Sequence, residues 1–369
     1  MNNSVKVNVK NPYEIFLDSS LETIPALLKE YTNQKNIIII CDKNIAKKHL
    51  PLLLKSLINH GFSPNVLLLK ASEKNKSIKV ANDLIKKILK LEINKKTPLI
   101  ALGGGIVGDI AGFCASVVYR GLPFFQIPTT LLAMVDSSVG GKNGVNTNAG
   151  KNTLGTFYQP SAVFIDVSLL ETLSDRDYLS GYAEVVKYAL LFSKEYFNYL
   201  ENHRNLFLAK NHNYLINIVK NSCGFKAKVV EEDEFETNNI RYLLNLGHTF
   251  AHAFEAYNKY KPTLSHGEAV SVGMVLAFKL SYSLGICARE NYLRIKDHLD
   301  LIGLPTEIKH IFKKINVKKI IKLMGQDKKN HSSLFTLILA VDMGNCVVNN
   351  EITKAILKKF FKEVLNGKL

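Results

Sequence analysis

Apolar runs alternate with amphipathic stretches along the first half of the chain. In the amphipathic stretches, near residues 44–60 and 77–91, apolar residues recur with the period of an α-helix. Short continuous apolar runs, in contrast, are typical of parallel strands buried on both faces. The alternation predicts an α/β domain with a Rossmann-like parallel sheet, whose ligands bind at the carboxyl ends of the strands. The runs are Ile37–Cys41, Val66–Leu69, Leu99–Leu102 and Ala162–Ile165.

The second half of the chain has a different pattern. From about residue 176 it is mostly helical by period, interrupted by one β-like pair near Leu334–Leu339 and Cys346–Val348. A chain of 369 residues also exceeds what one hydrophobic core usually serves. We therefore expect two domains, residues 1–175 and residues 176–369, with the active site in the cleft between them.

Composition narrows the functional class. The net charge of +16 arises from 48 Lys and Arg against 32 Asp and Glu. Such an excess is found in nucleic-acid-binding proteins, but these lysines are scattered over helix-like segments, which disfavours a nucleic-acid partner. No apolar run approaches the roughly 18–20 residues that span a bilayer, so we expect no membrane partner.

The cysteines and the N-terminus indicate a compartment. The five cysteines are widely spaced and contain no CxxC pair, a pattern that favours free thiols in a reducing environment. The N-terminal residues lack the basic-then-apolar layout of a signal peptide. A cytoplasmic location is the expectation.

A glycine-rich segment follows the third apolar run. Gly103–Asp109 fits G-x-G-x-x-G, in which glycines let backbone N–H groups approach a pyrophosphate beside a helix N-terminus. The same glycines also fit an ordinary tight turn between a strand and a helix. No acidic residue stands about twenty positions later to bind a ribose, but Asp42, at the end of the first run, is a candidate for that role.

Three histidines and a carboxylate are concentrated in a later apolar region, Asn245–His252 and then His266-Gly-Glu268. His248 and His252 are four positions apart, so on a helix they share one face. Imidazoles presented in this way are a usual beginning of a divalent-metal site. The alternative is a helix with solvated or core-satisfied histidines.

A polar segment rich in small residues, Pro128–Asn146, is followed by Lys151 and Asn152. Long Gly-rich loops in compact domains are usually functional, and Lys142 with Lys151 suits a phosphate or carboxylate substrate. A solvated loop with unrelated lysines is the alternative.

Together these segments resemble the 3-dehydroquinate synthase family over nearly the whole chain. Wider relatives with the same fold are other sugar-phosphate cyclases and glycerol-dehydrogenase-like metal alcohol dehydrogenases. The blocks that carry the resemblance are Gly103–Asp109, Arg120-Gly121, Pro128–Lys142, Gly181–Lys187, Leu244–Glu255 and His266–Glu268.

The resemblance implies an enzyme that converts 3-deoxy-D-arabino-heptulosonate 7-phosphate into 3-dehydroquinate and phosphate. NAD would act catalytically: transient oxidation of the C5 alcohol acidifies the neighbouring C–H, phosphate leaves by β-elimination, the ketone is reduced again, and an intramolecular aldol reaction closes the ring. Zn²⁺ or Co²⁺ would polarise the C5 oxygen. The alternatives are another sugar-phosphate cyclase and a metal-dependent polyol dehydrogenase.

The resemblance also implies roles for individual residues. The implied metal ligands are Glu184, His248 and His266, which leaves His252 on the substrate side. The implied NAD contacts are Asp42, Glu73, Lys76, Gly104, Gly105, Ile106, Val107, Gly108, Asp109, Thr129, Thr130, Asp136, Ser137, Lys142, Lys151, Leu169 and Thr172. The implied substrate contacts are Lys142, Asn152, Lys187, Lys226, Arg241, Asn245, His252 and Lys328, with Arg120 reaching the phosphate of a neighbouring subunit, which implies a homodimer.

Two segments depart from the family pattern. Ala71-Ser72 stands where the family's turn usually has Asp-Gly, before Glu73 and Lys74. One additional residue lies between Glu236 and Arg241, and a usual glycine is missing there. We expect an altered turn geometry at both places, with Glu73 and Lys76 retained.

Overall fold

The computed structural model describes residues 3–148, 150–325 and 334–369. The chain forms two compact units. The first comprises Met1–Ser174 and Lys210–Phe235, and the second comprises Asp175–Ala209 and Glu236–Leu369.

The described residues contain eleven strands. They are β1 (Ser4–Val7), β2 (Tyr13–Leu17), β3 (Asn36–Asp42), β4 (Ser63–Leu69), β5 (Leu99–Gly103), β6 (Phe124–Pro128), β7 (Lys142–Thr147), β8 (Gly150–Phe157), β9 (Ala162–Ile165), β10 (Leu334–Asp342) and β11 (Asn345–Thr353).

The same residues contain fourteen α-helices and several shorter helical turns. The α-helices are α1 (Ile24–Leu28), α2 (Ala46–Asn59), α3 (Ile78–Ile88), α4 (Gly105–Val117), α5 (Asp175–Phe192), α6 (Lys194–Asn202), α7 (Arg204–Leu208), α8 (His212–Glu232), α9 (His248–Tyr257), α10 (His266–Ser283), α11 (Arg289–Ile302), α12 (Ile308–Ile311), α13 (Val317–Met324) and α14 (Lys354–Leu365). None of the helices within the described residues is long and apolar enough to cross a bilayer.

The first unit is built on a seven-stranded sheet in the order β1-β2-β9-β6-β5-β3-β4. Apart from the antiparallel β1–β2 pair, neighbouring strands run parallel. One face of β3 and β5 packs on α3 and α4 through residues such as Ile38, Ile40 and Ala101. The predicted α/β class, with a parallel sheet followed by a mostly helical second part, is confirmed.

Three details of the first unit differ from the sequence prediction. β4 is an edge strand, and Val66–Leu68 is partly or largely exposed rather than buried. β6, buried along its whole length, is an additional parallel strand. The segment Pro128–Asn146, expected as a loop, ends in β7, which forms an antiparallel hairpin with β8. Gly144 and Gly155 interrupt the alternation of apolar and polar residues by which a strand is recognised in the sequence. They pair closely across the hairpin, and a Cβ at Gly155 would lie 2.3 Å from the Asn143 carbonyl oxygen.

The division of the chain also differs from the expected contiguous second domain. Helix α8 belongs to the first unit, where it packs against β1, the turn Ala133–Ser137 and the turn Val167–Thr172. Its apolar face includes Leu215, Ile218 and Val219. Its period is as helical as that of the neighbouring helices, so the sequence pattern gives no sign that it packs with the first unit.

Close backbone contacts hold three helices of the second unit together. A Cβ at Gly267, in the first turn of α10, would lie 1.9 Å from the Ser180 carbonyl oxygen of α5. A Cβ at Gly273, further along α10, would lie 2.2 Å from the carbonyl oxygen of Gly247, the residue before α9. Both positions therefore require glycine, because rigid backbone leaves no room for a side chain.

We predict that Gly273→Ala lowers the free energy of unfolding by about 3 kcal/mol, because the added methyl group must push α10 away from Gly247. Denaturant midpoints and melting temperatures measure this change. Gly224→Ala in α8 is the matched control, because a Cβ there meets nothing within 4 Å. A helical Gly→Ala substitution stabilises by up to about 1 kcal/mol. Equal effects of the two substitutions would contradict the packing argument.

Candidate functional site

Three potential metal ligands converge in the second unit. Glu184 lies in the middle of α5, while His248 and His266 are the first residues of α9 and α10. The glycine contacts described above bring these helix segments together. One ligand atom from each residue lies within 4.8 Å of the others.

The geometry of this group is that of a chelating pocket. The Nε2 atoms of His248 and His266 lie 3.3 Å and 3.4 Å from the same oxygen, Oε1 of Glu184. Glu184 is fully buried and His248 nearly so, while His266 is partly exposed. Two imidazoles and one carboxylate form a common ligand set of catalytic zinc, which leaves further coordination positions for substrate.

The other ring nitrogens of both histidines face acceptors. Nδ1 of His248 lies 3.1 Å from the carbonyl oxygen of Leu246, and Nδ1 of His266 lies 3.5 Å from Oε1 of Glu255. Metal-binding histidines usually donate their second N–H to such groups, which fixes the tautomer that presents Nε2 to the ion. The donor set and its supporting acceptors therefore fit a divalent cation.

The electrostatics of the group also favour a cation. Burial by itself raises the pKa of Glu184, but Lys187 and the two histidines lower it well below its usual range. Burial by itself lowers the pKa of His266, but the carboxylates of Glu255 and Glu184 raise it to about 10. The same two carboxylates that raise this pKa would also attract a divalent cation to this position.

Lys187 and His252 lie beside the three ligands. Lys187 is one turn after Glu184 on α5, is buried, and forms an ion pair with it. His252 is exposed on α9, and its ring centroid is 5.6 Å from that of His248. The spacing of His248 and His252 correctly placed both on one face, but the clustered ligand atoms belong to Glu184, His248 and His266.

Arg241 and Asn245 lie in the short 3₁₀ turn Ile240–Asn245, which contacts α5. Arg241 is buried. In the segment before it, Glu236 and Asn239 have left-handed backbone, with φ of +57° and +62°. Asn239 directly precedes the turn, and asparagine tolerates this conformation better than most residues. An altered geometry of this segment relative to the family stays a prediction.

The start of α10 is fixed by a capping network. Ser265 and Glu268 form a capping box, in which each side chain accepts from the other residue's backbone N–H. The guanidinium of Arg176 donates to both carboxylate oxygens of Glu268, each at 2.7 Å. Glu268 thus orients the helix that begins with His266, and the sequence motif His266-Gly-Glu268 combines one ligand with one cap.

In the first unit, the glycine-rich segment forms the turn from β5 into α4. Its glycines allow tight internal packing: a Cβ at Gly104 would lie 3.0 Å from Thr130, and one at Gly105 would lie 2.8 Å from Ser137. Ile106, Val107 and Gly108 continue in the first turns of α4. The N-terminus of this helix offers a site for an anion. Thr129, the residue after β6, is buried beside it, and its backbone N–H donates to the Gly103 carbonyl oxygen at 3.0 Å.

Asp42 and the turn after β4 lie at the same edge of the sheet. Oδ1 of Asp42 accepts from the backbone N–H of Asn44 at 3.0 Å and from that of Ala71 at 3.4 Å. Ser72 caps the 3₁₀ turn Glu73–Asn75 by accepting from the N–H of Asn75. The serine therefore supplies local hydrogen bonding where the family usually has glycine.

Charged and amide side chains form a network beside this turn. Lys76 is buried, pairs with Asp109 of α4, and donates to Oδ1 of Asn152 at 2.5 Å. Burial raises the pKa of Asp109, and Lys76 opposes the rise. Lys151 lies 3.6 Å from Glu73. Five residues that the resemblance assigns to NAD or substrate are thus brought together within the first unit.

Other residues predicted for the site contact side chains in different parts of the first unit. Lys226 of α8 is buried and contacts Oδ1 of Asp136 at 2.8 Å and its carbonyl oxygen at 2.5 Å. Thr172 lies 2.7 Å from Nε2 of His49. Leu169 is buried in the same turn, whereas Lys142, the first residue of β7, is exposed. Lys328 lies outside the described residues.

The sequence analysis missed two side chains that support the predicted ones. Glu255 is seven positions after His248 on α9, a spacing that returns to the same helix face. Asn146 lies in β7 and contacts both Glu73 and Asn152. The helical period could have identified Glu255, but the role of Asn146 depends on tertiary contacts.

Comparison with known proteins identifies the relatives of this chain. Residues 66–180 match the family model for the N-terminal part of 3-dehydroquinate synthase, and residues 181–330 match that for its C-terminal part. The 3-dehydroquinate synthase of Rhodospirillum rubrum is 42% identical over 332 residues, which cover 89% of this chain and 86% of that protein.

Two solved structures share the fold. The 2-epi-5-epi-valiolone synthase of Streptomyces hygroscopicus, with NAD⁺ and Zn²⁺ bound, is similar with a TM-score of 0.88, 24% identity and coverage of 98% of this chain and 99% of that one. A 2-deoxy-scyllo-inosose synthase complexed with carbaglucose-6-phosphate, NAD⁺ and Co²⁺ also has a TM-score of 0.88, with 23% identity and coverage of 98% and 100%.

We predict that Glu255→Ala weakens Zn²⁺ binding by about 10- to 100-fold, because His266 loses the acceptor that orients its ring. Glu255→Gln should lose less, since the amide oxygen still accepts the ring N–H. Competition with a chromophoric chelator measures the affinity, and Glu290→Ala, at an exposed position of α11, is the control. Unchanged affinity in both Glu255 variants would contradict this role.

Proposed function

The chain belongs to the 3-dehydroquinate synthase family, and we propose that it converts 3-deoxy-D-arabino-heptulosonate 7-phosphate into 3-dehydroquinate and phosphate. It would thus act as a phosphate-eliminating carbon–oxygen lyase. The observation that carries the proposal is the buried group of Glu184, His248 and His266, with Lys187 one turn from Glu184. This places a cation site and an ammonium group together, as a substrate with both an oxidisable alcohol and a phosphate requires.

We propose NAD and Zn²⁺, or Co²⁺, as the cofactors. The two similar cyclase structures hold NAD⁺ with Zn²⁺ and NAD⁺ with Co²⁺, and the donor set of the second unit suits both metals. When bound, NAD accepts and returns a hydride, and the metal ion polarises the alcohol oxygen that is oxidised.

The residues of the second unit hold the ion and orient the substrate. Glu184, His248 and His266 supply three ligands, and Glu255 and the Leu246 carbonyl fix the histidine rings. Lys187 would donate to an oxygen of the substrate, and Arg241, Asn245 and His252 would contribute further donors to its polar groups. Holding one substrate conformation through elimination and ring closure accounts for much of the rate enhancement.

The residues of the first unit hold the dinucleotide. Asp42 and the Glu73–Lys76 turn bind the ribose and nicotinamide sides, and the N-terminus of α4 binds the pyrophosphate. Thr129, Thr130, Asp136, Ser137, Lys151, Leu169 and Thr172 complete this site. Lys142, Asn152 and Lys226 provide cations and an amide for the acidic, phosphorylated substrate.

We predict that the purified protein releases phosphate and forms 3-dehydroquinate from the heptulosonate phosphate with only catalytic amounts of NAD. Coupled assays for each product measure this. Dialysis against a chelator should abolish the activity, and Zn²⁺ or Co²⁺ should restore it. Stoichiometric accumulation of NADH with a plain polyol would instead identify a dehydrogenase, and turnover of a different sugar phosphate alone would identify another cyclase.

We also propose a homodimer in which Arg120 completes the partner's site. Arg120 is exposed in a strained turn: Tyr119, Arg120 and Gly121 have φ values of +50°, +63° and +130°. Two consecutive non-glycine residues in this region cost about 1–3 kcal/mol each, and such strain is concentrated at functional sites. The turn projects the guanidinium from the end of α4.

Mixing of two inactive variants tests this arrangement. Arg120→Ala lacks the donated arginine and Glu184→Gln lacks a metal ligand, so each homodimer should be nearly inactive. After subunit exchange, half of the dimers are mixed and each has one complete site, which predicts recovery to about a quarter of wild-type activity. Arg120→Ala that stays fully active, or a monomer in ultracentrifugation, would overturn the proposal.

A further inference from the structure

Asn146 makes hydrogen bonds to two different segments of the first unit. Its side-chain Nδ2 donates to Oε1 of Glu73 at 2.7 Å, and its Oδ1 accepts from the backbone N–H of Asn152 at 2.9 Å. Its own backbone N–H donates to the Lys76 carbonyl oxygen at 2.8 Å. One residue of β7 thus bridges the turn after β4 and the start of β8.

Asn152 is held in an unfavourable backbone conformation. Its φ is +50°, in the left-handed region that most residues avoid. In this conformation its N–H meets Oδ1 of Asn146 while its side-chain oxygen accepts from Lys76. The Asn146 amide therefore helps to offset the strain at Asn152 and sets the direction of its side chain.

We propose that Asn146 is a positioning residue that couples the cofactor side of the site, at Glu73, to the substrate side, at Asn152. This inference rests on the proposed function, which assigns those two residues to NAD and to the substrate. Asn146 orients the Glu73 carboxylate through its amide hydrogen and the Asn152 peptide through its amide oxygen.

An amide suits this task because it donates and accepts at once. Leucine, of similar shape, does neither. Aspartate keeps an acceptor for the Asn152 N–H but places a second carboxylate within hydrogen-bond distance of Glu73. Exchanging the two groups restores the pairing, since Gln at position 73 can donate to Asp at position 146.

Five variants of the full-length protein test the proposal: Asn146→Leu, Asn146→Asp, Glu73→Gln, the double variant Glu73→Gln/Asn146→Asp, and Thr153→Ala as control. Thr153 is exposed on the same hairpin, and its hydroxyl contacts Thr147 rather than Glu73. Calorimetric titration with NAD, the steady-state KM and kcat, the bound Zn²⁺ and the melting temperature are measured for each.

We expect Asn146→Leu and Asn146→Asp each to bind NAD at least about tenfold more weakly than wild type, which is the loss for one hydrogen bond to a charged group. Both should also have a raised substrate KM. Zn²⁺ content should stay at the wild-type level because the ligands lie in the other unit. The double variant should lose less NAD affinity than the sum of the losses in Glu73→Gln and Asn146→Asp, because the exchanged pair still forms its hydrogen bond. The control should match wild type.

Other outcomes separate the two hypotheses. If wild-type protein fails to bind NAD at all, the proposed function is wrong. If wild type binds NAD but Asn146→Leu binds it equally well with unchanged KM, the positioning role is wrong. A double variant whose loss of NAD affinity equals the sum of the losses in Glu73→Gln and Asn146→Asp also overturns that role, because the two side chains then act independently.

Discussion

Contact between helix backbones is the constraint on which the candidate site depends. Gly267 lies against the Ser180 carbonyl and Gly273 against that of Gly247, with no space for a Cβ at either position. Metal–ligand bonds tolerate deviations of only about 0.2 Å, so Glu184, His248 and His266 need a scaffold that is fixed more tightly than side-chain packing alone provides. Backbone atoms have no rotamers, and contacts between them supply that rigidity.

Ion pairs between buried charged side chains are a second feature that both units share. Among the described residues, three buried ammonium groups each have a carboxylate beside them: Lys187 has Glu184, Lys76 has Asp109, and Lys226 has Asp136. Leaving one member of such a pair unmatched in the interior costs about 3–5 kcal/mol, so the pairs hold these lysines in defined positions. Under the proposed function, an anionic substrate would meet ammonium groups whose location is already set, which would lower the entropy lost on binding.

The sequence was most informative for strands buried on both faces and for amphipathic helices, because in both the pattern of apolar residues reflects burial. β3, β5 and β9 and helices α2 and α3 agree with the predicted segments because they are buried or amphipathic. The hairpin β7–β8 was missed because both strands contain glycines and most of β8 is exposed, so neither strand has that pattern. At the metal group, helix spacing placed His248 and His252 together but could not bring in Glu184 or His266, which lie on other helices. That set required the resemblance to a family, and the support from Glu255 required coordinates.

The path of the chain has a consequence for how the first unit is made. Its last helix, α8, ends at Glu232, whereas its other elements end by residue 174. During synthesis, β1 and the turn Ala133–Ser137 therefore remain uncovered until some sixty further residues have left the ribosome, and the intervening segment Asp175–Ala209 belongs to the other unit. A fragment that stops near residue 175 would expose this apolar surface, so gene dissection at the obvious boundary should give an insoluble product rather than an independent nucleotide-binding domain.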